Sequence, residues 1–214
     1  MTQVLRVLIT GTPGTGKTTV AKKLSQVLNA EYIDVGSFCL SHNLCVEYDA
    51  RRDTYVIDLE RARSELREYL AELSKVVVDT HIPSVMPPDL VTHIFVLRLH
   101  PLELVKRLRA RYSSKEEKIA ENVLAEYIGV IANEARSWFS SEKVFEINVT
   151  GLDVDTICDI VLGIVRGGID PSPYRQQIDW LLDESEELTQ LIMECERILG
   201  RSSSNTLSEE VSPQ

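Results

Sequence analysis

The chain is short of several things at once. Aromatic residues make up only 6% of its 214 positions, and its four cysteines, Cys39, Cys45, Cys158 and Cys195, form no C-x-x-C pair. No histidine stands at zinc-finger spacing, so a metal-ribbon module is excluded and free thiols in a reducing compartment are expected. Long apolar runs are also missing. The first, residues 4–9, is too short to cross a bilayer and carries no signal-cleavage pattern. A cytoplasmic protein with no membrane partner is expected (nuclear in a eukaryote). Positive charge is scarce, with 23 Lys and Arg against 33 Asp and Glu and a net charge of −10. That balance excludes broad non-specific binding to a polyanion and favours a basic protein as partner. The sequence has no internal repeat and no Asn-Lys-x-Asp segment of the kind that reads guanine. Its length argues against a large motor ATPase.

What is present is enough apolar material, 43%, for one sizeable core. Strand-like and helix-like patterns alternate. Residues 4–10 read as a buried strand, 17–29 as a helix, 31–35 as a short strand, and 36–53 as mixed and irregular. A helical stripe (Leu59, Ala62, Leu66, Tyr69, Leu70, Leu73) precedes the β-branched run 75–79. Pro83, Pro87 and Pro88 then exclude regular structure. Residues 93–97 read as a strand, and Pro101 opens a helix. One long helical pattern follows, from Ile119 to Ala135, then a strand at 144–147 and a helix at 154–165. Strands separated by helices predict an α/β protein with a parallel sheet covered on both faces. Residues 167–173 read as a linker, and Leu188, Leu191, Ile192, Cys195, Ile198 and Leu199 form a helical stripe that must pack on the core or on another chain. The Ser-rich residues 201–214 are expected to be disordered.

Between the first strand and the first helix lies Gly11-Thr12-Pro13-Gly14-Thr15-Gly16-Lys17-Thr18, the full P-loop pattern in the context it requires. Glycines let the backbone approach phosphate oxygens, and the N–H groups at the helix start attract them. Lys17 is expected on the β and γ oxygens of ATP, Thr18 on Mg²⁺ and Thr19 on the α-phosphate. Asp79 ends an apolar strand, as an acid that holds Mg²⁺ or its water does, or as an ordinary turn cap. His81 is either an orienting group for water or substrate or a solvent-facing loop residue. Arg107, Arg109, Arg111, Lys115 and Lys118 concentrate positive charge in an acidic chain. They suit a closing lid, with Arg111 the first choice to meet the transferring phosphoryl, or else a solvated helix face.

Several segments together carry a resemblance. They are Gly11 to Thr19, Glu47-Tyr48-Asp49 with Tyr55-Val56-Ile57-Asp58, Asp79-Thr80-His81, Val96-Leu97-Arg98, Arg107-Leu108 with Arg111-Tyr112, and Lys118-Ile119-Ala120-Glu121-Asn122 continuing to Glu126. The chain resembles the adenylate kinase isoenzyme-six family, called CINAP in eukaryotes, over roughly residues 4–166. The resemblance implies a P-loop nucleotide kinase-like, parallel five-stranded sheet flanked by helices, in a domain read over 1–168; the family's usual end lies near the linker, so the linker and C-terminal helix read at 169–200 are poorly covered by it. It implies an AMP-side region near 35–58 and a short lid near 110–121. The implied reaction is Mg²⁺-dependent conversion of ATP and AMP to ADP, with ATP hydrolysis as a further activity. The implied partners are a basic small-subunit ribosomal protein and, indirectly, pre-ribosomal RNA during small-subunit maturation. ATP contacts fall on Gly14, Thr15, Gly16, Lys17, Thr18, Thr19 and Arg111, and the Walker B pair on Asp79 and His81. Two departures stand out. Arg111 adjoins Tyr112 directly where the family commonly has Arg-Gly-Tyr. No arginine follows the third strand, which leaves Arg51, Arg52 and Arg98 on offer for the AMP phosphate. An ATP-gated assembly factor, or a kinase for another hydroxyl-bearing acceptor, needs the same site.

Overall fold

The computed structural model describes residues 4–50 and 54–209, the last nine of them as backbone helix only. Strands β1 (Leu5–Thr10), β2 (Glu31–Asp34), β5 (Lys75–Asp79), β6 (His93–Arg98) and β7 (Val144–Asn148) form a parallel sheet in the order β2-β5-β1-β6-β7. A separate antiparallel hairpin, β3 (Cys45–Asp49) and β4 (Thr54–Ile57), stands apart from it. The helices are α1 (Lys17–Leu28), α2 (Val35–Ser41), α3 (Leu59–Ala71), α4 (Pro101–Arg111), α5 (Glu116–Tyr127), α6 (Val130–Trp138), α7 (Val154–Val165) and α8 (Glu186–Glu209).

The central strands β5, β1 and β6 are largely apolar because both faces of the sheet are covered. Alternate residues serve opposite cores. Val7, Ile9, Val77, Phe95, Leu97, Phe145 and Ile147 pack beneath α1, α4, α5, α7 and α8. Leu8, Val76, Val78, Ile94, Val96 and Val144 pack with α2, α3 and α6. This alternation is the two-residue period of a strand.

Three features differ from the expectations, and one open alternative is resolved. The helical pattern from Ile119 to Ala135 is two helices, broken where Gly129 adopts φ +69°, a left-handed value that Gly takes at little cost. Residues 36–53, expected to be irregular, contribute most of α2 and β3. Their patterns are too short for periodicity to register. Of the two packings open to the C-terminal stripe, the structure shows the first: it docks on this chain's own α4 and α5, burying Leu188, Leu191, Ile192 and Cys195. Finally, α8 continues through 201–209 where a disordered tail is expected, since extending a formed helix is far easier than nucleating one; 210–214 lie outside the described residues. Among the described residues no helix is long and apolar enough to cross a membrane.

Candidate nucleotide site

Parallel strands deliver their carboxyl ends to one rim, and the loops leaving that rim form the cleft. Thr10, Asp34, Asp79 and Arg98 are the last residues of β1, β2, β5 and β6. Asp34 stands directly beside Asp79 in the register of neighbouring strands.

The loop after β1 turns on glycines. Gly11, Gly14 and Gly16 have φ of +140°, +99° and +98°. A Cβ on Gly11 would lie 2.4 Å from the Leu97 carbonyl oxygen. The start of α1 differs from those of α2, α3 and α7, where Asp34, Asp58 and Asp153 accept hydrogen bonds from first-turn amides. Helix α1 begins after Gly16 with no side-chain cap, so its first-turn N–H groups, at the positive end of the helix dipole, face the cleft.

A cavity of about 670 Å³ opens over this loop. Its lining brings together Gly14, Gly16, Lys17, Thr18, Thr19, Asp79, His81 and Arg111, eight of the nine residues singled out from the sequence. Thr15 is the exception. Its side chain is buried and donates to the Thr12 carbonyl at 3.0 Å, so only its backbone is left for a ligand. The Thr18 hydroxyl donates to Asp79 Oδ2 at 2.5 Å, and the Tyr32 hydroxyl reaches the same oxygen at 3.5 Å. Asp79 is buried, and burial raises its pKa against the opposing pull of Thr18 and Lys17. Lys17 Nζ donates to the Thr12 carbonyl at 3.2 Å. Burial, joined by the charge of Arg111, lowers the Lys17 pKa to about 8 against the pull of Asp79, Glu126 and Asp34. Solvent reaches His81 through the open cavity, but protein surrounds the ring elsewhere. Desolvation, with Lys17 and Lys118 nearby, lowers its pKa to about 4, leaving it neutral at pH 7.

Positive charge converges here. Lys17, Arg107, Arg111 and Lys118 all line the cavity of a chain whose net charge is −10. Arg111 lies over the Tyr112 ring, 5.1 Å from its centroid, at the end of α4. Asp34, Gly36, Thr54, Ile57 and Ile131 line the same cavity.

Arg98 is a correction. It is not available for an AMP phosphate: it is 1% exposed and bound to Glu126 and Glu146 at 2.8 and 2.7 Å. A strand-end arginine flanked by two buried carboxylates holds them in place of water. Arg51 and Arg52 lie outside the described residues. Sequence reasoning missed Asp34, which sits at a strand end as Asp79 does, and Glu126, whose partners are remote in sequence.

Comparison with known proteins gives consistent likenesses. The AAA domain family matches residues 7–129. A protein of Saccharolobus islandicus named "Putative adenylate kinase" is 38% identical over 192 residues, covering 87% of this chain and 95% of that protein. One of Sulfurisphaera tokodaii with the same name is 34% identical over 207 residues, covering 95% and 99%. Among solved structures, shikimate kinase from Acinetobacter baumannii in complex with shikimate aligns with a TM-score of 0.57 at 12% identity, covering 78% of this chain and 95% of that one. That likeness concerns the fold alone.

Proposed function

The chain belongs to the AAA domain family and to the family of the archaeal relatives named "Putative adenylate kinase", and on that premise we propose that it transfers the γ-phosphoryl of ATP to AMP with Mg²⁺. The observation that carries this reading is the uncapped start of α1 beneath a cavity lined by Lys17, Arg107, Arg111 and Lys118. In-line phosphoryl transfer needs positioning and neutralisation of charge, with little covalent chemistry from the protein. The amides of residues 14–19 enclose the phosphates, Lys17 reaches the β and γ oxygens, and Arg111 meets the phosphoryl in flight. Mg²⁺ is a hard cation that binds through one or two protein oxygens together with phosphates and water. The Thr18 hydroxyl and Asp79 carboxylate, 2.5 Å apart, fit that donor set. When bound, the ion neutralises charge on the β and γ phosphates.

The domain reading goes with this proposal: a kinase domain over 1–168, an AMP-side region over 35–58 that corresponds to α2 and the β3–β4 hairpin, and a short lid over 110–121 that joins α4 to α5. The segments Asp79-Thr80-His81 and Lys118 to Glu126 support assignment to the isoenzyme-six group. With it come ATP hydrolysis and assistance to small ribosomal subunit maturation through a basic ribosomal protein, for which the net charge of −10 is suited. One observation supports hydrolysis as more than a side reaction, and with it the alternative of an ATP-gated assembly factor: His81 lines the cavity together with Asp79, where an imidazole can orient water.

A coupled assay for ADP, run with and without AMP and with a purified basic ribosomal protein, tests these readings. ADP formation that requires AMP supports the kinase. Formation that requires the protein partner supports the switch. Absence of MgATP turnover under every condition rejects both.

A further inference from the structure

The C-terminal segment between α7 and α8 does more than lead into a packing helix. We propose that the strap 178–183 is a working part of the nucleotide site: through Glu126 it fixes Thr12, and with it Lys17, so that Glu126, Thr12 and Trp180 are positioning residues for phosphoryl transfer. This rests on the ATP-binding reading above.

The connection can be followed atom by atom. Glu126 is 1% exposed, near the end of α5. Its Oε2 accepts from the Thr12 hydroxyl at 2.5 Å. Its Oε1 accepts from Arg98 Nε at 2.8 Å, from the Leu99 amide at 3.2 Å and from the Trp180 indole Nε1 at 3.0 Å. The strap is held at a second point by Ile178. Its carbonyl accepts from Arg98 Nη1 at 2.8 Å, and its amide donates to Glu146 Oε2 at 3.0 Å. A third point is Asp183, whose Oδ2 pairs with His100 Nε2 at 2.8 Å. His100 in turn caps α4, the helix that carries Arg107 and Arg111.

Thr12 joins the two sides. Its hydroxyl is gripped from beneath by Glu126, while its carbonyl accepts from Lys17 Nζ at 3.2 Å and from the Thr15 amide and hydroxyl at 3.2 and 3.0 Å. A loop that turns on three positive-φ glycines is intrinsically pliable, yet its lysine must be aimed before the phosphate arrives. A buried polar network with every member satisfied supplies that rigidity. Folding alone does not call for charge here, because buried ion pairs are often replaceable by apolar side chains without loss of stability. The contact with the P-loop gives the network a use.

The test is calorimetric titration of the full chain with MgATP, alongside melting temperature, for wild type, Thr12→Val, Thr12→Ser, Trp180→Phe and the double variant Thr12→Val/Trp180→Phe. Loss of a hydrogen bond to a charged group is expected to weaken MgATP affinity roughly 10-fold in Thr12→Val. Thr12→Ser, which keeps the hydroxyl, is expected within about 2-fold of wild type by the same reasoning. Trp180→Phe is expected to weaken affinity about 3-fold and to add nothing to Thr12→Val, since both act through one carboxylate. If Trp180→Phe lowers the melting temperature but leaves affinity unchanged, if the two effects add in full, or if Ser fails to rescue, the strap is structural only and the inference is overturned. A wild type that binds while every variant binds equally well rejects this inference alone. A wild type that gives no heat with MgATP rejects the nucleotide reading, and this inference with it.

Discussion

The depressed pKa of Lys17 makes a quantitative prediction about pH. In the ligand-free chain the ammonium titrates at about 8, lowered chiefly by burial. If only the charged form accepts the β and γ phosphates, the apparent dissociation constant for MgATP scales as one plus the ratio of neutral to charged Lys17. With a pKa of about 8, roughly ten in eleven molecules carry the charge at pH 7 and about one in eleven at pH 9. Affinity is therefore expected to fall about 10-fold between those values, with no further contribution from Lys17 below about pH 7. Phosphate ionisation does not intrude, because the terminal group is already charged above pH 7. Binding also draws a proton onto Lys17 near pH 8, so the heat of titration is expected to vary with the ionisation enthalpy of the buffer. The sign for stability runs the same way. A lysine whose folded pKa lies below its unfolded value of 10.5 destabilises the empty chain wherever it is charged, fully so below about pH 8. Lys17→Met is thus expected to raise the melting temperature at pH 7 while abolishing MgATP binding. Lys17→Arg, whose charge does not titrate, is expected to bind more weakly but without the alkaline decline. Affinity independent of pH from 7 to 9.5, or an equal decline in Lys17→Arg, would refute the assignment of this lysine to the phosphates.

Other outcomes follow from other contacts. Asp79→Asn removes the charge beside Thr18 and is expected to cost on the order of 10²-fold in ADP formation, measured at saturating ATP across a Mg²⁺ series. Arg98→Met strands Glu126 in the interior without an ion partner, while Glu146 keeps Arg136, and is expected to lower stability by about 3–5 kcal/mol in urea unfolding; a change under about 1 kcal/mol would show that these carboxylates are not held as described. Gly11→Ala would drive a Cβ against the fixed Leu97 carbonyl at 2.4 Å, whereas the Cβ in Gly14→Ala meets the movable Leu104 side chain at 2.8 Å. The first is expected to destabilise by about 3 kcal/mol or more and the second by about 1–2 kcal/mol, compared by melting temperature. Equal effects would contradict that account.

The parts of the molecule legible in the sequence are those whose causes are local. The P-loop is one, because its glycines and Lys17 serve a single turn. The centre of the sheet is another, since burial on both faces makes β1, β5 and β6 largely apolar runs. Asp79 was found because an apolar strand ends on it. Arg98 was misread for the opposite reason: it also ends a strand, but its partners Glu126 and Glu146 are 28 and 48 residues away, and nothing near it in sequence announces that it is buried. Glu126 meets Thr12 across 114 positions, a relation that no helical or strand period encodes. The break at Gly129 was hidden because apolar residues on both sides kept the helical rhythm, while the glycine that interrupts it has no side chain to disturb the count.

The paired ions beneath the P-loop have a consequence for behaviour on heating. Arg98 and Arg136 balance Glu126 and Glu146, so the group is neutral as a whole, and Arg98 and both carboxylates lie out of water. Hydration of charged groups grows less favourable as temperature rises, whereas the gain from apolar burial levels off. The penalty for keeping these ions dry therefore shrinks in a warm cell, and the seam that joins the two ends of the chain tightens relative to the rest just as the surrounding loops loosen.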